Sequence, residues 1–144
     1  MGKRRKAREL ALEALYRLEI ASEGLDSVLE DIFSRGCEEE VRSYAERLTR
    51  ETVLHLGEID RTIEGVVEHW AFSRIAILDK NILRFAICEL LHFKDVPTKV
   101  SIDEAIEIAK RYSTPDSGRF VNGVLDRVAK DVEARPSTKP VESA

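Results

Sequence analysis

Two consecutive helix patterns between Ser101 and Val128 constrain the fold of this chain more than any other feature. In both patterns apolar residues recur at the spacing of an amphipathic helix. They are Ala105, Ile106, Ile108, Ala109 and Tyr112 in the first pattern, and Phe120 or Val121, Val124, Leu125, Val128 and Ala129 in the second. A polar turn around Pro115 separates the two, because a proline disfavours helical backbone at the residue before it. We therefore expect a pair of helices joined by a short loop.

The ends of these two helices carry residues suited to capping. Ser101 and Glu104 have the spacing of a capping box, which predicts that the first helix begins near Ser101. Asp116 or Ser117 can cap the second helix. Asn122-Gly123 lies inside the second pattern, although a glycine in a helix costs about 1 kcal/mol relative to alanine. Close packing against a neighbouring helix and room for a ligand both explain this glycine, and both stay open.

The helical period recurs along most of the chain, and no segment alternates apolar and polar residues as a half-buried strand does. Further helix patterns cover about 3–22, 26–36, 38–57, 58–70 and 79–91. We predict an all-α fold, a compact bundle of about seven helices in two packed subbundles. The subbundles are expected at about 3–70 and 72–132, with their boundary near 71–78. Together they would form a single domain over 1–133, followed by a disordered polar tail over 134–144.

The N-terminal helix pattern starts with a dense basic cluster in an otherwise acidic chain. The cluster consists of Lys3, Arg4, Arg5, Lys6 and Arg8, and the net charge of the whole chain is −4. Affinity for anions should therefore be local to this end of the molecule. On a helical wheel, Leu12 and Tyr16 fall away from the apolar stripe. They are either ordinary exposed side chains or part of a partner surface beside the basic cluster.

The start of the last helix pattern is a second candidate site. Asp116, Ser117, Arg119 and Phe120 lie close together there. A helix N-terminus offers backbone N–H groups to a phosphate, and an aromatic ring can stack on an unpaired base. Asp116 could instead serve only as a cap, and Phe120 could belong to the core. Binding of single-stranded RNA is the function that these residue types favour.

The sequence offers no comparable case for catalysis or for a metal. It contains no nucleotide-binding glycine loop, no GxSxG and no HExxH, so we expect neither an enzyme nor a cofactor. His55, His69 and His92 share no metal-ligand spacing with each other or with Cys37 and Cys88, so we expect no metal site and two reduced thiols. No apolar run of about 20 residues and no secretion signal is found, which makes the cytoplasm the expected location, away from membranes.

Three segments resemble the NusB family of bacterial transcription antitermination factors. They are KRRKARELALEALY at 3–16, LDKNILRFAICELL at 78–91 and VSIDEAIEIAKRYSTPDSGRFVNGVLDRV at 100–128, and the resemblance runs from about Lys3 to Lys130. It implies an all-α fold of two packed helical subdomains that binds boxA-type single-stranded leader RNA of ribosomal RNA operons. It also implies a partner, the small-subunit ribosomal protein NusE, and action on elongating RNA polymerase.

Matched position by position, the resemblance assigns RNA binding to two groups of residues. They are Lys3, Arg4, Arg5, Lys6 and Arg8 in the N-terminal helix, and Asp116, Ser117, Arg119 and Phe120 in the loop and helix start. The surface for NusE would include Tyr16 and Asp79, together with the off-stripe Leu12. The family often has a bulkier residue where this chain has Gly118, so side-chain contacts at that position do not carry over.

Two other functions fit the same residues. One is the NusB-like accessory domain of an rRNA cytosine methyltransferase, which would need a long catalytic domain after Ala144 that we do not expect. The other is a non-catalytic helical protein-interaction module whose basic end is incidental. RNA titration with and without the basic residues separates this module from an RNA-binding factor. The sequence leaves open whether the chain forms a homodimer.

Overall fold

The structure is a computed structural model that describes residues 2–134, apart from the side chains of His69 and Trp70. Its helices are Lys3–Ile20 (α1), Leu25–Phe33 (α2), Glu39–Leu54 (α3), Leu56–Val66 (α4), His69–Phe72 (α5), Ile77–His92 (α6), Thr98–Tyr112 (α7) and Ser117–Ala134 (α8). No strand occurs between residues 2 and 134, and the predicted all-α fold is confirmed. The predicted tail at 134–144 lies outside the described residues except for Ala134, which ends α8.

Helix α6 is the centre of the bundle. Every residue from 81 to 91 is buried, and α6 packs against α1, α3, α4, α7 and α8. One hydrophobic cluster contains residues of α6 and of all five of these neighbours. The core is therefore continuous across the expected boundary at 71–78. A smaller cluster of Ala14, Val28, Leu29 and Ile32 packs α2 on α1. Both halves of the chain thus share one core, and their separation into subbundles stays a prediction.

A buried carboxylate on α6 joins four helices. Glu89 Oε2 accepts hydrogen bonds from Arg8 Nε of α1 at 2.8 Å and from Tyr44 Oη of α3 at 2.7 Å. Its other oxygen, Oε1, accepts one from Ser101 Oγ of α7 at 2.7 Å. Burial, and next the charge of Glu89, raise the pKa of Tyr44, so this hydroxyl stays protonated and donates. Arg8 is 1% exposed and Glu89 0%, so neither charge has access to bulk water.

The predicted capping box at Ser101 is wrong, because α7 begins before Ser101 and the Ser101 hydroxyl takes part in this network. Helix α7 begins at Thr98, one turn earlier, because Pro97 supplies an extended residue before it and its carbonyl accepts the N–H of Val100 at 3.0 Å. Ser101 therefore lies inside α7, and its hydroxyl donates to Glu89 instead of capping. Glu104 binds Arg5, so it does not reach back to the helix start.

The glycine at a close contact between helices is Gly118, not Gly123. A methyl group on Gly118 would lie 3.2 Å from Lys110 Cγ and 3.5 Å from Ile106 Cγ2, where α8 crosses α7. Gly123 is exposed, and a methyl group there would meet nothing within 4 Å. Packing is therefore the wrong explanation for Asn122-Gly123, and room for a ligand is the one that stays open.

The buried network predicts a non-additive loss of stability. Glu89→Leu alone leaves the buried Arg8 charge with only Glu104, 3.9 Å away, and Arg8→Met alone leaves the Glu89 charge without its ion pair. Each should lower the free energy of unfolding by about 3–5 kcal/mol. The double variant should lose clearly less than the sum, because no unpaired charge remains. Urea unfolding followed by circular dichroism measures all three.

Lys99→Ala is the control, because it removes an exposed charge that pairs with Asp103 on the same helix. Its effect should stay within about 0.5 kcal/mol. Additive losses in the double variant would show that Arg8 and Glu89 act independently.

Candidate nucleic-acid interface

The five basic residues of the N-terminal cluster divide into exposed and anchored side chains. Lys3, Arg4 and Lys6 are exposed, whereas Arg5 is half-buried and Arg8 is buried. Arg5 forms two hydrogen bonds to Glu104, at 2.8 and 2.9 Å, and this contact lowers the pKa of Glu104. The five predicted RNA-binding residues therefore differ in their access to solvent. Arg8 and Arg5 fix α1 to α6 and α7, because buried or half-buried carboxylates face them.

The exposed basic residues are the groups that an anion can reach. Within residues 2–134, neither Arg4 nor Lys6 forms an ion pair, whereas Lys3 pairs with Glu38 at 3.1 Å and with Glu40. The guanidinium carbon of Arg4 lies 4.0 Å from the centre of the Tyr44 ring. This stacking holds Arg4 by a cation–π contact and leaves its charge unneutralised.

A surface cavity of about 780 Å³ opens beside Arg4. Its lining consists of Gly2, Lys3, Arg4, Glu39, Glu40, Ser43, Tyr44 and Arg47. Arg47 stacks on Phe93 with its guanidinium carbon 3.8 Å from the ring centre. Two stacked guanidinium groups thus lie along one cavity. The sequence did not predict Arg47 or Tyr44 as residues of an RNA-binding site. Both lie on α3, and only the tertiary fold brings them next to α1.

At the start of α8, Ser117 faces inward. Its side chain is buried, and Oγ donates to Asp79 Oδ2 at 3.0 Å while it accepts the backbone N–H of Thr114 at 3.2 Å. The prediction that Ser117 contacts RNA therefore conflicts with its burial, and its hydroxyl instead holds the loop against α6. Asp79 Oδ1 is also buried and has no hydrogen-bond partner among the described residues.

Three other residues at this helix start do face solvent. Asp116, Arg119 and Phe120 are exposed, and Phe120 keeps 36% of its surface accessible. Val121, which is 0% exposed, takes the core position instead, so the alternative that Phe120 belongs to the core is wrong. Phe120 and Asp79 share the wall of a cavity of about 310 Å³ with Val67, Ala71, Arg74, Ile75 and Ala76. Phe120 and Asp79 thus line the same cavity.

A groove on another part of α1 contains Tyr16. Its volume is about 330 Å³, and it is lined by Lys6, Glu9, Leu10, Leu12, Glu13, Tyr16, Leu78 and Tyr112. Tyr16 is half-buried and Tyr112 is 41% exposed. The start of α6 and the end of α7 therefore meet α1 at one apolar surface. The sequence did not predict Leu78 or Tyr112 as partner-binding residues, because only the fold brings them close to Tyr16.

Two of the predicted partner residues lie elsewhere than expected. Leu12 is 5% exposed and belongs to the main core, because α1 packs against α2, α3 and α6 and so buries more than one stripe. Asp79 does not line the groove; it binds Ser117 and faces the cavity of Phe120. Of the three predicted residues, Tyr16 is the one whose side chain is both in the groove and partly accessible.

No helix within the described residues is long and apolar enough to cross a lipid bilayer. The candidate surfaces among the described residues are the basic end of α1, the start of α8 with Phe120 and the groove that contains Tyr16.

Comparison with known proteins identifies the family of this chain. The NusB family model matches residues 5–130. A transcription antitermination protein NusB of Anaeromyxobacter sp. (strain Fw109-5) is 49% identical over 129 residues, which cover 88% of this chain and 90% of the relative. The NusB of Koribacter versatilis (strain Ellin345) is 42% identical over 140 residues, with 96% of both chains covered.

Solved structures agree with this match. A structure of T. maritima NusB superposes with a TM-score of 0.83 at 43% identity, covering 89% of this chain and 91% of the other. NusB in a crystal structure of the antitermination factors NusB and NusE in complex with dsRNA superposes with a TM-score of 0.81 at 26% identity, covering 90% and 97%. The family model spans nearly all of the described helices, and both relatives align over most of their own length. The chain therefore belongs to the NusB family.

Proposed function

We propose that this protein is an RNA-binding transcription antitermination factor. It binds boxA-type single-stranded leader RNA of ribosomal RNA operons together with NusE, and it acts as part of an antitermination complex on elongating RNA polymerase. The observation that carries this proposal is the likeness, at a TM-score of 0.81, to a structure of the antitermination factors NusB and NusE in complex with dsRNA. Relatives described as antitermination proteins at 49% and 42% identity support the same function.

The basic end of α1 provides the affinity for phosphates. Lys3, Arg4 and Lys6 are the exposed cations of this end, and they contact the RNA backbone without reading its sequence. Arg5 and Arg8 act indirectly, since their bonds to Glu104 and Glu89 fix the helix that carries the other three. Burial supports this role for Arg8, which is 1% exposed, and two hydrogen bonds to Glu104 support it for Arg5.

The start of α8 provides base recognition. Phe120 offers an accessible ring on which an unpaired base can stack. Asp116 is an exposed acceptor for base amino or imino groups, and Arg119 adds a positive charge beside it. Ser117 positions this site through its bond to Asp79. Base contacts of this kind discriminate between sequences, whereas backbone contacts do not.

The groove around Tyr16 is the surface for NusE. Its apolar wall combines Tyr16 with Leu78 and Tyr112, and Glu9 and Glu13 lie at the same groove. Tyrosines of this kind are common anchors of protein interfaces, because they bury a large ring and keep a polar hydroxyl. The groove also suits a purely protein-binding module, and the RNA measurements below separate the two functions.

The basic end should contribute affinity that depends on salt and not on sequence. Replacing Lys3, Arg4 and Lys6 together by Ala should weaken binding to boxA-like and scrambled RNA equally. The slope of log K against log salt should fall by about 0.7 per lost phosphate contact on a single strand. Fluorescence anisotropy at several salt concentrations measures both quantities.

A charge-matched control replaces Lys99, Arg127 and Lys130, which are exposed elsewhere on the surface. It should leave the salt slope close to that of the unmodified protein. If the control variant and the Lys3, Arg4 and Lys6 variant lose affinity to the same extent, the net charge of the protein governs binding, and the basic end of α1 does not.

Phe120 should control the preference for boxA-like RNA. Phe120→Ala should cost roughly 1–3 kcal/mol of binding free energy if the ring stacks on a base, and the preference over a scrambled strand should shrink. Thermal stability should change little, because the ring is already partly exposed. Tyr112→Ala, which removes another exposed aromatic ring, is the control and should keep the preference. An equal loss for both RNAs would place base recognition elsewhere.

Tyr16 should control binding to NusE. Tyr16→Asp places a charge in the apolar wall of the groove and should weaken binding to purified NusE at least tenfold, while the melting temperature stays close to that of the unmodified protein. Ile20→Asp introduces the same charge at an exposed position of α1 and should bind NusE normally. A large fall in melting temperature for Tyr16→Asp would instead mean that this side chain is structural.

A further inference from the structure

Two histidines that are far apart in sequence meet on the surface of the bundle. His55 lies between α3 and α4, and His92 is the last residue of α6. Their rings stack with centroids 3.8 Å apart and planes inclined by 15°. Glu58, in the first turn of α4, joins them, with Oε1 2.9 Å from His92 Nε2. Sequence spacing predicted no metal site here, because this arrangement exists only in the folded chain.

The donor atoms of these three residues lie close enough that small side-chain rotations would bring them around one metal ion. One ligand atom from each residue lies within 4.8 Å of the other two, and His55 Nδ1 is 3.7 Å from Glu58 Oε1. A tetrahedral ion with bonds of about 2.0–2.1 Å holds neighbouring ligand atoms roughly 3.3 Å apart. The three side chains keep 30%, 45% and 24% of their surface exposed, so the rings have room to rotate into coordination.

A fourth residue orients one of the histidines. Glu51 Oε1 lies 3.4 Å from His55 Nε2, one helical turn before it. A histidine that binds a metal through one ring nitrogen commonly donates the other N–H to a carboxylate, which fixes the tautomer. With the proton on Nε2 toward Glu51, the lone pair of Nδ1 is free on the side of Glu58. The two carboxylates also supply negative charge around a cation.

We propose that His55, Glu58 and His92 form a binding site for a divalent transition-metal ion of the zinc type. Imidazole nitrogens and a carboxylate oxygen suit such ions. Glu51 orients His55, and solvent completes the coordination through the exposed side of the site. A bound ion would link the start of α4 to the end of α6. Because that link exists only in the folded protein, metal binding stabilises the fold.

The test uses the full-length protein after treatment with a chelator and then dialysis. Zn²⁺ titration by calorimetry should give one equivalent, and Zn²⁺ should raise the melting temperature. Co²⁺, added as a spectroscopic probe, should produce visible absorption bands of a low-coordinate nitrogen–oxygen site. His92→Gln and Glu58→Gln should each weaken binding at least tenfold. Glu51→Gln should weaken it about 10–100-fold, as expected for a residue that orients a ligand.

Cys37→Ser is the matched control, because Cys37 is an exposed thiol that could bind zinc by itself. This variant should keep the full affinity. Each variant is first compared with the unmodified protein by circular dichroism without metal, and if His92→Gln does not fold, the surface residue Glu58 supplies the same test. Zinc binding that survives Glu58→Gln, disappears with Cys37→Ser, or is absent from the unmodified protein would overturn the proposal.

Discussion

The position of a single carboxylate, that of Glu89, underlies the arrangement of this bundle. Helix α6 is buried over residues 81–91, and Glu89 lies within this buried stretch. An ionised group in a dry interior must be paired and hydrogen-bonded, since desolvation otherwise costs several kcal/mol. Arg8, Tyr44 and Ser101 meet this requirement from three different helices. Hydrophobic burial drives the collapse, and this network links α6 to α1, α3 and α7 by specific hydrogen bonds.

The same network determines which basic residues face the solvent. A cluster of five cations on one helix end looks like a uniform anion-binding patch when only charge is counted. Arg8 and Arg5 bind Glu89 and Glu104 and so anchor α1. Lys3, Arg4 and Lys6, on the same helix, face the solvent. The proposed RNA surface is therefore narrower than the sequence suggested, and it is attached directly to the core.

Most of the fold could be predicted from the sequence, because helical periodicity is a local property that tertiary packing reinforces. The family could also be predicted, since the motifs at 3–16, 78–91 and 100–128 are long and contiguous. Positions that depend on contacts between distant segments were missed. The burial of Leu12 results from packing against three helices, and Ser117 faces inward because Asp79 lies beneath it. The neighbouring positions of His55 and His92 likewise have no counterpart in local sequence spacing.

The stacking of Arg4 on Tyr44 has a consequence for the thermodynamics of binding. The hydroxyl of Tyr44 is held by Glu89, and the ring that supports Arg4 is therefore immobile. A free arginine side chain carries about 2 kcal/mol of rotamer entropy, and part of this freedom is already lost when the protein folds. A phosphate that reaches Arg4 meets a pre-ordered guanidinium, so less entropy is lost on association. In the proposed RNA-binding surface, the core would thus favour phosphate binding at Arg4, a residue with which it shares no ion pair.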